Sequence, residues 1–192
     1  MKKILLLVIV LLLLLLLLLH TNCTAQNVYP MRTSALDTPR GSYMKDLNNE
    51  LNPYVGRWKT VYKGKEITLI ATKEYKVPFL DYYYRDIIVV RYEIKDTTNG
   101  NILESTLNRT LNDDKYKISG FKTAEADDRL RCVFFGGNCN LGNGFVFLKR
   151  QGNNQLLWSY YPQAILVTSQ NEKECKGEIY LPEGENIVFT RQ

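Results

Sequence analysis

Histidine is nearly absent from this sequence. The chain of 192 residues contains one, His20, which follows directly on an apolar run near the N-terminus. The rest of the chain therefore offers no imidazole for a serine or cysteine triad, or for a zinc or iron site that uses histidine. This absence excludes most hydrolase mechanisms. Since the sequence also has no Cys-x-x-Cys, it disfavours a metal site.

The sequence also lacks nucleotide-binding motifs and the charge pattern that binds nucleic acid. There is no Gly-x-x-x-x-Gly-Lys-Ser/Thr, and Gly142-Asn143-Gly144 is typical of a turn. The formal net charge is +5, and it falls to about +3 if Lys2 and Lys3 leave with a signal peptide. Basic residues are interspersed with acidic ones rather than gathered on one face. We therefore expect no cofactor and no nucleic-acid partner.

Residues 1–25 have the composition of a secretory signal peptide. Lys2 and Lys3 precede an uninterrupted apolar run over residues 4–19, and small or polar residues follow. Three outcomes fit this pattern: cleavage before Gln26 by signal peptidase I, cleavage before Cys23 with acylation of that cysteine, or retention as an anchor. Retention fits less well, because a membrane span needs about 18 or more apolar residues. The pattern predicts an exported protein.

Residues 26–53 are predicted to form a leader, or tether, on the surface of the domain. The segment is polar, is punctuated by prolines and has no sustained apolar period. Within residues 42–51, Tyr43, Leu47 and Leu51 recur at helical spacing after Ser42, which can cap a helix N-terminus. This spacing predicts a short helix over one end of a domain formed by residues 54–192.

Residues 54–192 alternate polar and apolar side chains in short segments, as β-strands do. In the first segment Gly56, Trp58 and Tyr62 share one face, and the longest alternation covers residues 82–95. Turn residues separate about nine or ten such segments. A meander of that size leaves no bare edge if its last strand, residues 187–191, pairs with its first. The pattern predicts an all-β fold, an antiparallel meander β-barrel or a barrel-like sandwich.

Four cysteines are present, and lipidation of Cys23 would leave three for one disulfide and one thiol. Cys132 occupies a strand-like segment, whereas Cys139 and Cys175 lie in loop-like sequence. An oxidising compartment would allow a bridge between the two loop cysteines. We predict a disulfide between Cys139 and Cys175, with Cys132 as a buried apolar thiol.

Aromatic residues offer the main candidate ligand site. Thirteen tyrosines and two tryptophans are present, and a closed barrel can hold one small ligand. The same rings could equally fill the barrel as core side chains. The residues predicted to line a cavity are Trp58, Tyr62, Tyr84, Tyr92, Trp158 and Tyr160.

These observations favour a non-enzymatic binding module that holds a small apolar or amphipathic ligand. A protein-partner binder, such as a hydrolase inhibitor, is the alternative, with an exposed aromatic patch over residues 82–84. A glycosidase would need two facing carboxylates, for which Asp86 on an apolar face and the pairs Asp113-Asp114 and Asp127-Asp128 are the candidates. The two pairs lie in polar stretches typical of solvated loops.

Several segments together resemble an uncharacterised group of exported Bacteroidota domains of unknown function, over nearly the whole chain. They are residues 22–26, 46–51, 55–58 and 136–140, with Leu181-Pro182 and the terminal residues 187–192. Lipoproteins are common in that group, so the resemblance implies a lipidated Cys23 on the outer or cytoplasmic membrane, facing the periplasm or the cell exterior. Gly56-Arg57-Trp58 is similar to the Gly-x-Trp of the first lipocalin strand, which implies a lipocalin-like barrel. The resemblance implies no catalytic residues.

Overall fold

The computed structural model describes residues 2–19, 26–123, 128–164, 175 and 177–192. The N-terminal apolar run forms the α-helix α1, Lys2–Leu19. In the part of the chain so described, no helix is both long and apolar enough to cross a membrane. Cys23, the predicted lipidation site, and Asp127 lie outside the described residues.

The described residues after α1 form eleven strands. Their bounds are β1 Val28–Pro30, β2 Tyr43–Lys45, β3 Gly56–Tyr62, β4 Lys65–Phe79, β5 Tyr83–Asp96, β6 Ile102–Ser105, β7 Ile118–Thr123, β8 Arg129–Phe134, β9 Gly144–Gln151, β10 Gln155–Pro162 and β11 Gly184–Arg191. Most have the apolar alternation or the flanking turn residues from which the strands were predicted.

Eight of these strands close into an antiparallel barrel in the order β3, β4, β5, β7, β8, β9, β10, β11. The last strand returns to the first, with Arg191 opposite Trp58 and Thr190 opposite Lys59. Closure removes the unpaired edges that an open sheet would expose. The predicted antiparallel β-barrel is therefore confirmed, as is the pairing of its last strand with its first.

The inward-facing residues follow from the alternation of each strand. Trp58 lies opposite Leu69, and Leu69 lies opposite Tyr92, so three neighbouring strands each direct a large side chain inward. Across the barrel, Trp158 lies opposite Leu148 and Ile187. The resulting core is continuous and buries every one of these side chains.

The helix predicted over residues 42–51 is wrong. Tyr43–Lys45 is instead the short strand β2, which runs parallel to β5 and also pairs with β1. Helical spacing of apolar residues is a local signal, and here tertiary pairing overrides it. The backbone N–H of Tyr84 donates to the Ser42 carbonyl at 2.8 Å, a bond that a helix at residue 42 would forgo.

The leader of residues 26–53 covers one end of the barrel, here called the leader end. Met31 and Leu51 are buried in the barrel core, and Tyr54 follows them there. The Trp58 indole donates to the Tyr54 carbonyl at 3.0 Å, and the Tyr54 hydroxyl donates to the Asp128 carbonyl at 2.7 Å. These contacts fix the leader to the first barrel strand and to the start of β8.

Two buried carboxylates attach the leader to the β4–β5 hairpin. Asp86, 1% exposed, accepts hydrogen bonds from the Tyr43 hydroxyl and from the backbone N–H groups of Asp46 (3.0 Å) and Lys76 (3.1 Å). Asp46 forms an ion pair with Lys73 at 2.7 Å and also accepts from two leader N–H groups. A buried charge is tolerated only when it is paired and hydrogen-bonded. This cluster therefore specifies one arrangement of the leader on the β4–β5 hairpin. We call Asp46, Lys73 and Asp86 the clasp.

We predict that Asp86→Asn lowers the free energy of unfolding by about 2–4 kcal/mol, because an amide cannot accept from all of the donors that surround Asp86. Urea unfolding of the two proteins measures the difference. Asp81→Asn, the same chemical change at an exposed turn of the same hairpin, should alter stability by less than about 0.5 kcal/mol. Equal losses from the two substitutions would contradict the structural role of the clasp.

Candidate functional site

Four of the residues predicted to line a cavity belong to the packed core. Trp58, Tyr92 and Trp158 are fully buried, and Tyr160 nearly so. The Trp158 ring centroid lies 6.0 Å from that of Phe189 and 6.4 Å from that of Tyr160. Neighbouring rings therefore occupy the space around Trp158 and Tyr160 inside the barrel.

The other two predicted cavity residues lie far apart. Tyr62 is half-buried at the end of β3, and its hydroxyl donates to the Glu183 carbonyl at 3.4 Å. Tyr84 is exposed beyond the leader end, where Lys76 lies 5.5 Å from its ring centroid. The structure thus brings Trp158 and Tyr160 together and separates Tyr62 from Tyr84.

A cleft of about 440 Å³ lies at the opposite end of the barrel, here called the cleft end. It runs between the end of β10 and the segment of residues 177–183. Its lining residues are Leu141, Gly142, Tyr160, Pro162, Gln163, Gly177, Glu178, Ile179, Leu181 and Glu183. Known ligand pockets have volumes of roughly 300–1,000 Å³, so the cleft is large enough for a small molecule.

Core contacts and a disulfide hold the walls of the cleft. The Trp158 indole donates to the Pro182 carbonyl at 2.8 Å, and the Tyr160 hydroxyl donates to the Gly142 carbonyl. The Cys139–Cys175 disulfide joins the loops on either side, which confirms the predicted pair. Cys132 is the buried free thiol expected, and burial raises its pKa to about 12.

Gly142 is required where the cleft walls meet. Its φ is +71°, and a Cβ there would lie 2.6 Å from Cγ1 of Ile179 and 3.0 Å from the Tyr160 hydroxyl oxygen. Only glycine fits this conformation and this spacing without displacing both neighbours. The sequence triplet Gly142-Asn143-Gly144 therefore begins with the turn that was predicted, and its Gly142 lines the cleft.

The cleft is acidic. Glu178 and Glu183 are among its lining residues, and no described lining residue is basic. Burial raises the pKa of Tyr160, and the charges of Glu183 and Glu104 raise it further. The pKa of the Tyr180 hydroxyl, next to the cleft, is raised first by the charge of Glu178. A ligand in this cleft meets negative charge and hydrogen-bond acceptors beside apolar side chains.

Glu104 on β6 is a partly buried carboxyl near the same end. It accepts a hydrogen bond from the hydroxyl of Tyr92, a core residue. Burial raises the pKa of Glu104, although the Tyr92 hydrogen bond and the charge of Arg109 oppose that shift. The Tyr92 pKa is raised too, first by burial and then by the Glu104 charge. The Glu104 charge thus makes ionisation of Tyr92 more costly, whereas the Tyr92 hydroxyl stabilises the ionised form of Glu104.

The carboxylates considered for glycoside hydrolysis have other partners. Asp113 forms an ion pair with Arg109 at 2.6 Å, and Asp114 forms one with Lys117. Asp86 belongs to the clasp, and its side chain is buried and hydrogen-bonded rather than open to a sugar. Within the described ranges, no group of three or more His, Cys, Asp or Glu could hold a metal ion.

Most residues that line the cleft escaped prediction because they lie in loops. Leu141 has no periodic pattern around it. The alternation of residues 176–181, which include Ile179 and Leu181, predicts a strand, but the described residues 177–181 form none. Pairing between distant loops cannot be inferred from local sequence. The one sequence signal that could have located the cleft was the pair of loop cysteines. A bridge between Cys139 and Cys175 requires their loops to meet, and the cleft forms beside that meeting point.

We predict that Glu104→Gln makes the slope of stability against pH more positive on the acidic side of neutrality, because it removes a loss of stability that accompanies rising pH. A carboxyl with a raised pKa destabilises the folded protein once it ionises, so this penalty appears as the pH rises through the folded-state pKa. Chemical unfolding between about pH 4 and pH 8 measures the slope.

The control for this substitution is Glu66→Gln. The Lys59 hydrogen bond lowers the pKa of Glu66, so its contribution to stability is lost as the pH falls. The two substitutions should therefore change the slope in opposite directions. A change of the same sign in both variants would disprove the assignment of Glu104 as the destabilising carboxyl.

The comparisons with known proteins concern the whole chain. A family model described as "Family of unknown function (DUF6705)" matches residues 1–192. No curated protein and no solved structure is significantly similar to the chain. The family model thus spans the apolar N-terminus, the leader and the barrel together. The chain belongs to the DUF6705 family of unknown function.

Proposed function

We propose that this protein is an exported, non-enzymatic binding module that takes a small amphipathic ligand in the cleft at the end of its barrel. The observation that carries the proposal is the cleft itself, about 440 Å³ in volume with Tyr160 and Leu181 at its base. The barrel interior is occupied by Trp58, Tyr92 and Trp158, so a ligand finds room at the end of the barrel instead.

The lining residues indicate the ligand class. Leu141, Ile179 and Leu181 offer contacts to an apolar body, and burial of apolar surface supplies most of the affinity of such sites. Glu178 and Glu183 accept hydrogen bonds and favour positive charge. We infer an amphipathic amine, or a neutral molecule with hydrogen-bond donors, as the ligand.

The sequence supports binding without catalysis. Its one histidine is His20, in the segment predicted to be a signal peptide, and no nucleophile-base pair is evident. Among the described residues, Asp86, Asp113 and Asp114 are engaged in hydrogen bonds or ion pairs away from the cleft. Tyr160 at the base of the cleft has a raised pKa and stays protonated at neutral pH, which makes it a poor base.

A matched pair of water-soluble ligands tests the binding site. We expect 4-phenylbutylamine to bind the purified full chain at least tenfold more tightly than 5-phenylpentanoate, which has a similar apolar body but the opposite charge. Ligand-observed NMR measures both affinities. The preference should shrink severalfold in a variant that combines Glu178→Gln and Glu183→Gln, because the charges that select the amine are gone.

Glu185→Gln serves as the control, because Glu185 is an exposed carboxylate that does not line the cleft. It should leave the preference for the amine unchanged. Ile179→Ser should weaken both ligands together, since it removes apolar surface without changing charge. The cleft would be ruled out as a site for amphipathic amines if neither ligand binds. It would also be ruled out if both ligands bind with equal affinity and Ile179→Ser changes neither affinity.

We also propose that the exported protein is attached to a membrane through a lipid on Cys23 and faces the periplasm or the cell exterior. Support comes from Lys2, Lys3 and the apolar run that precede Cys23 in the sequence. Cells grown with a fatty-acid analogue should label the wild type, and Cys23→Ala should lose the label. Cys132→Ala, which removes a buried thiol of the core, should keep it. Equal labelling of wild type and Cys23→Ala would refute lipidation.

Binding of a protein partner is the second candidate function, because one outer face of the barrel is aromatic. On β9 and β10 the ring of Phe147 lies 6.5 Å from that of Phe145 and 5.8 Å from that of Tyr161. Phe145 and Tyr161 are exposed, and Arg131 lies 5.7 Å from the Phe147 ring. Exposed aromatic and arginine side chains are typical of protein interfaces. If neither test ligand binds the cleft, this face becomes the leading candidate.

A further inference from the structure

The β4–β5 hairpin extends past the barrel at the leader end. β3 pairs with β4 no further than Ala71, and β7 pairs with β5 only at residues 88–90. Beyond these points the neighbouring strand in the described chain is β2, which covers residues 84 and 85. We call residues 75–84 the hairpin tip. Its exposed large apolar side chains are Tyr75, Leu80, Tyr82 and Tyr84.

Leu80 is unusual for the turn that it occupies. Leu80 and Asp81 have φ values of +48° and +53°, and the N–H of Tyr82 donates to the Phe79 carbonyl at 3.0 Å. A two-residue turn with both φ values positive favours asparagine and glycine, and a left-handed leucine costs about 1 kcal/mol. The side chain is also 82% exposed. Neither the backbone nor burial within the chain accounts for leucine at this position.

The hairpin tip lies where the N-terminal segment joins the domain. The Gln26 side chain donates to the Gly41 carbonyl at 2.8 Å, and the N–H of Gly41 donates to the Tyr82 carbonyl at 2.7 Å. Two residues separate Gln26 from Cys23, the proposed lipidation site. A fully extended chain of that length spans about 11 Å at most. A lipid on Cys23 is therefore attached at the same end of the barrel as Leu80.

The exposed charge around the hairpin tip is positive on balance. Arg40, Lys45 and Lys76 are exposed there against Asp37 and Asp81, whereas the carboxylates of the clasp are buried. Arg85 lies between two rings, 3.8 Å from the centroid of Phe79 and 4.0 Å from that of Phe121. Burial lowers the pKa of Arg85 to about 10, so it keeps its charge at neutral pH. Each basic residue near an anionic membrane contributes about 1 kcal/mol of attraction.

We propose that the hairpin tip docks on the surface of an anionic lipid membrane, with Leu80 inserted among the lipid chains and Tyr75, Tyr82 and Tyr84 at the headgroup level. Tyrosines concentrate at that level because their rings are apolar and their hydroxyls are hydrated. The inference rests on the membrane attachment proposed above, which brings the tip to the bilayer. Insertion supplies the apolar environment that Leu80 lacks in the isolated chain.

Docking of the hairpin tip also sets the orientation of the domain. The cleft lies at the opposite end of the barrel, beside Gly142 and Glu183, whereas the tip and the leader lie at the leader end. A domain held by both the N-terminus and the tip therefore directs its cleft away from the bilayer. Attachment through the N-terminal lipid alone would leave that direction free.

Tryptophan quenching in vesicles tests the docking. The protein carrying Leu80→Trp is purified from cell membranes in its lipid-attached form and reconstituted in vesicles of phosphatidylglycerol and phosphatidylcholine brominated at carbons 6 and 7. Trp58 and Trp158 are fully buried, so the wild type supplies a background to subtract. We expect bromine to quench at least half of the emission added at position 80. Tyr75→Trp, on the same tip, provides a second probe should Leu80→Trp fail to fold.

Val61→Trp is the matched control, because Val61 is a 64% exposed apolar residue at the cleft end of the same sheet. Its added emission should remain unquenched, and co-flotation with the vesicles reports attachment separately. Attachment without quenching at positions 80 and 75 would overturn docking of the tip and leave the attachment standing. No co-flotation would overturn both. Equal quenching at positions 61 and 80 would overturn the orientation and favour unspecific contact.

Discussion

The carboxylate of Asp86 holds together segments that are far apart in the sequence. It accepts hydrogen bonds from the leader, through Tyr43 and Asp46, and from β4, through Lys76, while it stands on β5 itself. Lys73 then neutralises Asp46 at the same point. Because each of these buried groups would be destabilising alone, the cluster is stable only when all of its segments are in place. The leader is therefore an integral part of the fold.

The two ends of the barrel have different properties, and the clasp lies at the leader end. At the leader end, Leu51 and Tyr54 cover the barrel, and the β4–β5 hairpin continues outward. At the cleft end, the Cys139–Cys175 disulfide and the Trp158–Pro182 hydrogen bond hold distant segments together beside the cleft. Because large rings fill the core, a ligand or partner can bind this barrel only at its ends or on its outer face.

Aromatic residues have three distinct roles in this chain. Trp58, Tyr92 and Trp158 fill the barrel, where their burial provides much of the stability. Phe147 and its neighbours form an exposed face on β9 and β10. Tyr82 and other aromatics surround Leu80 at the hairpin tip. The richness in tyrosine seen in the sequence thus reflects several surfaces of the fold rather than one ligand cavity.

The sequence by itself determined an antiparallel all-β fold, as a barrel or a barrel-like sandwich, with its last strand paired to its first, and the bridge between Cys139 and Cys175. These features depend on period-two alternation and on the contrast between strand and loop sequence, both of which are local. Membership of an uncharacterised family agrees with the resemblance, whereas a Bacteroidota source and a lipocalin relationship stay predictions. Only the tertiary structure decided that residues 43–45 form a strand, that Asp86 is a structural group, and that Tyr62 and Tyr84 lie apart. The physical reason is that hydrogen bonds and packing between distant segments outweigh local spacing, and no short stretch of sequence records which segments will meet.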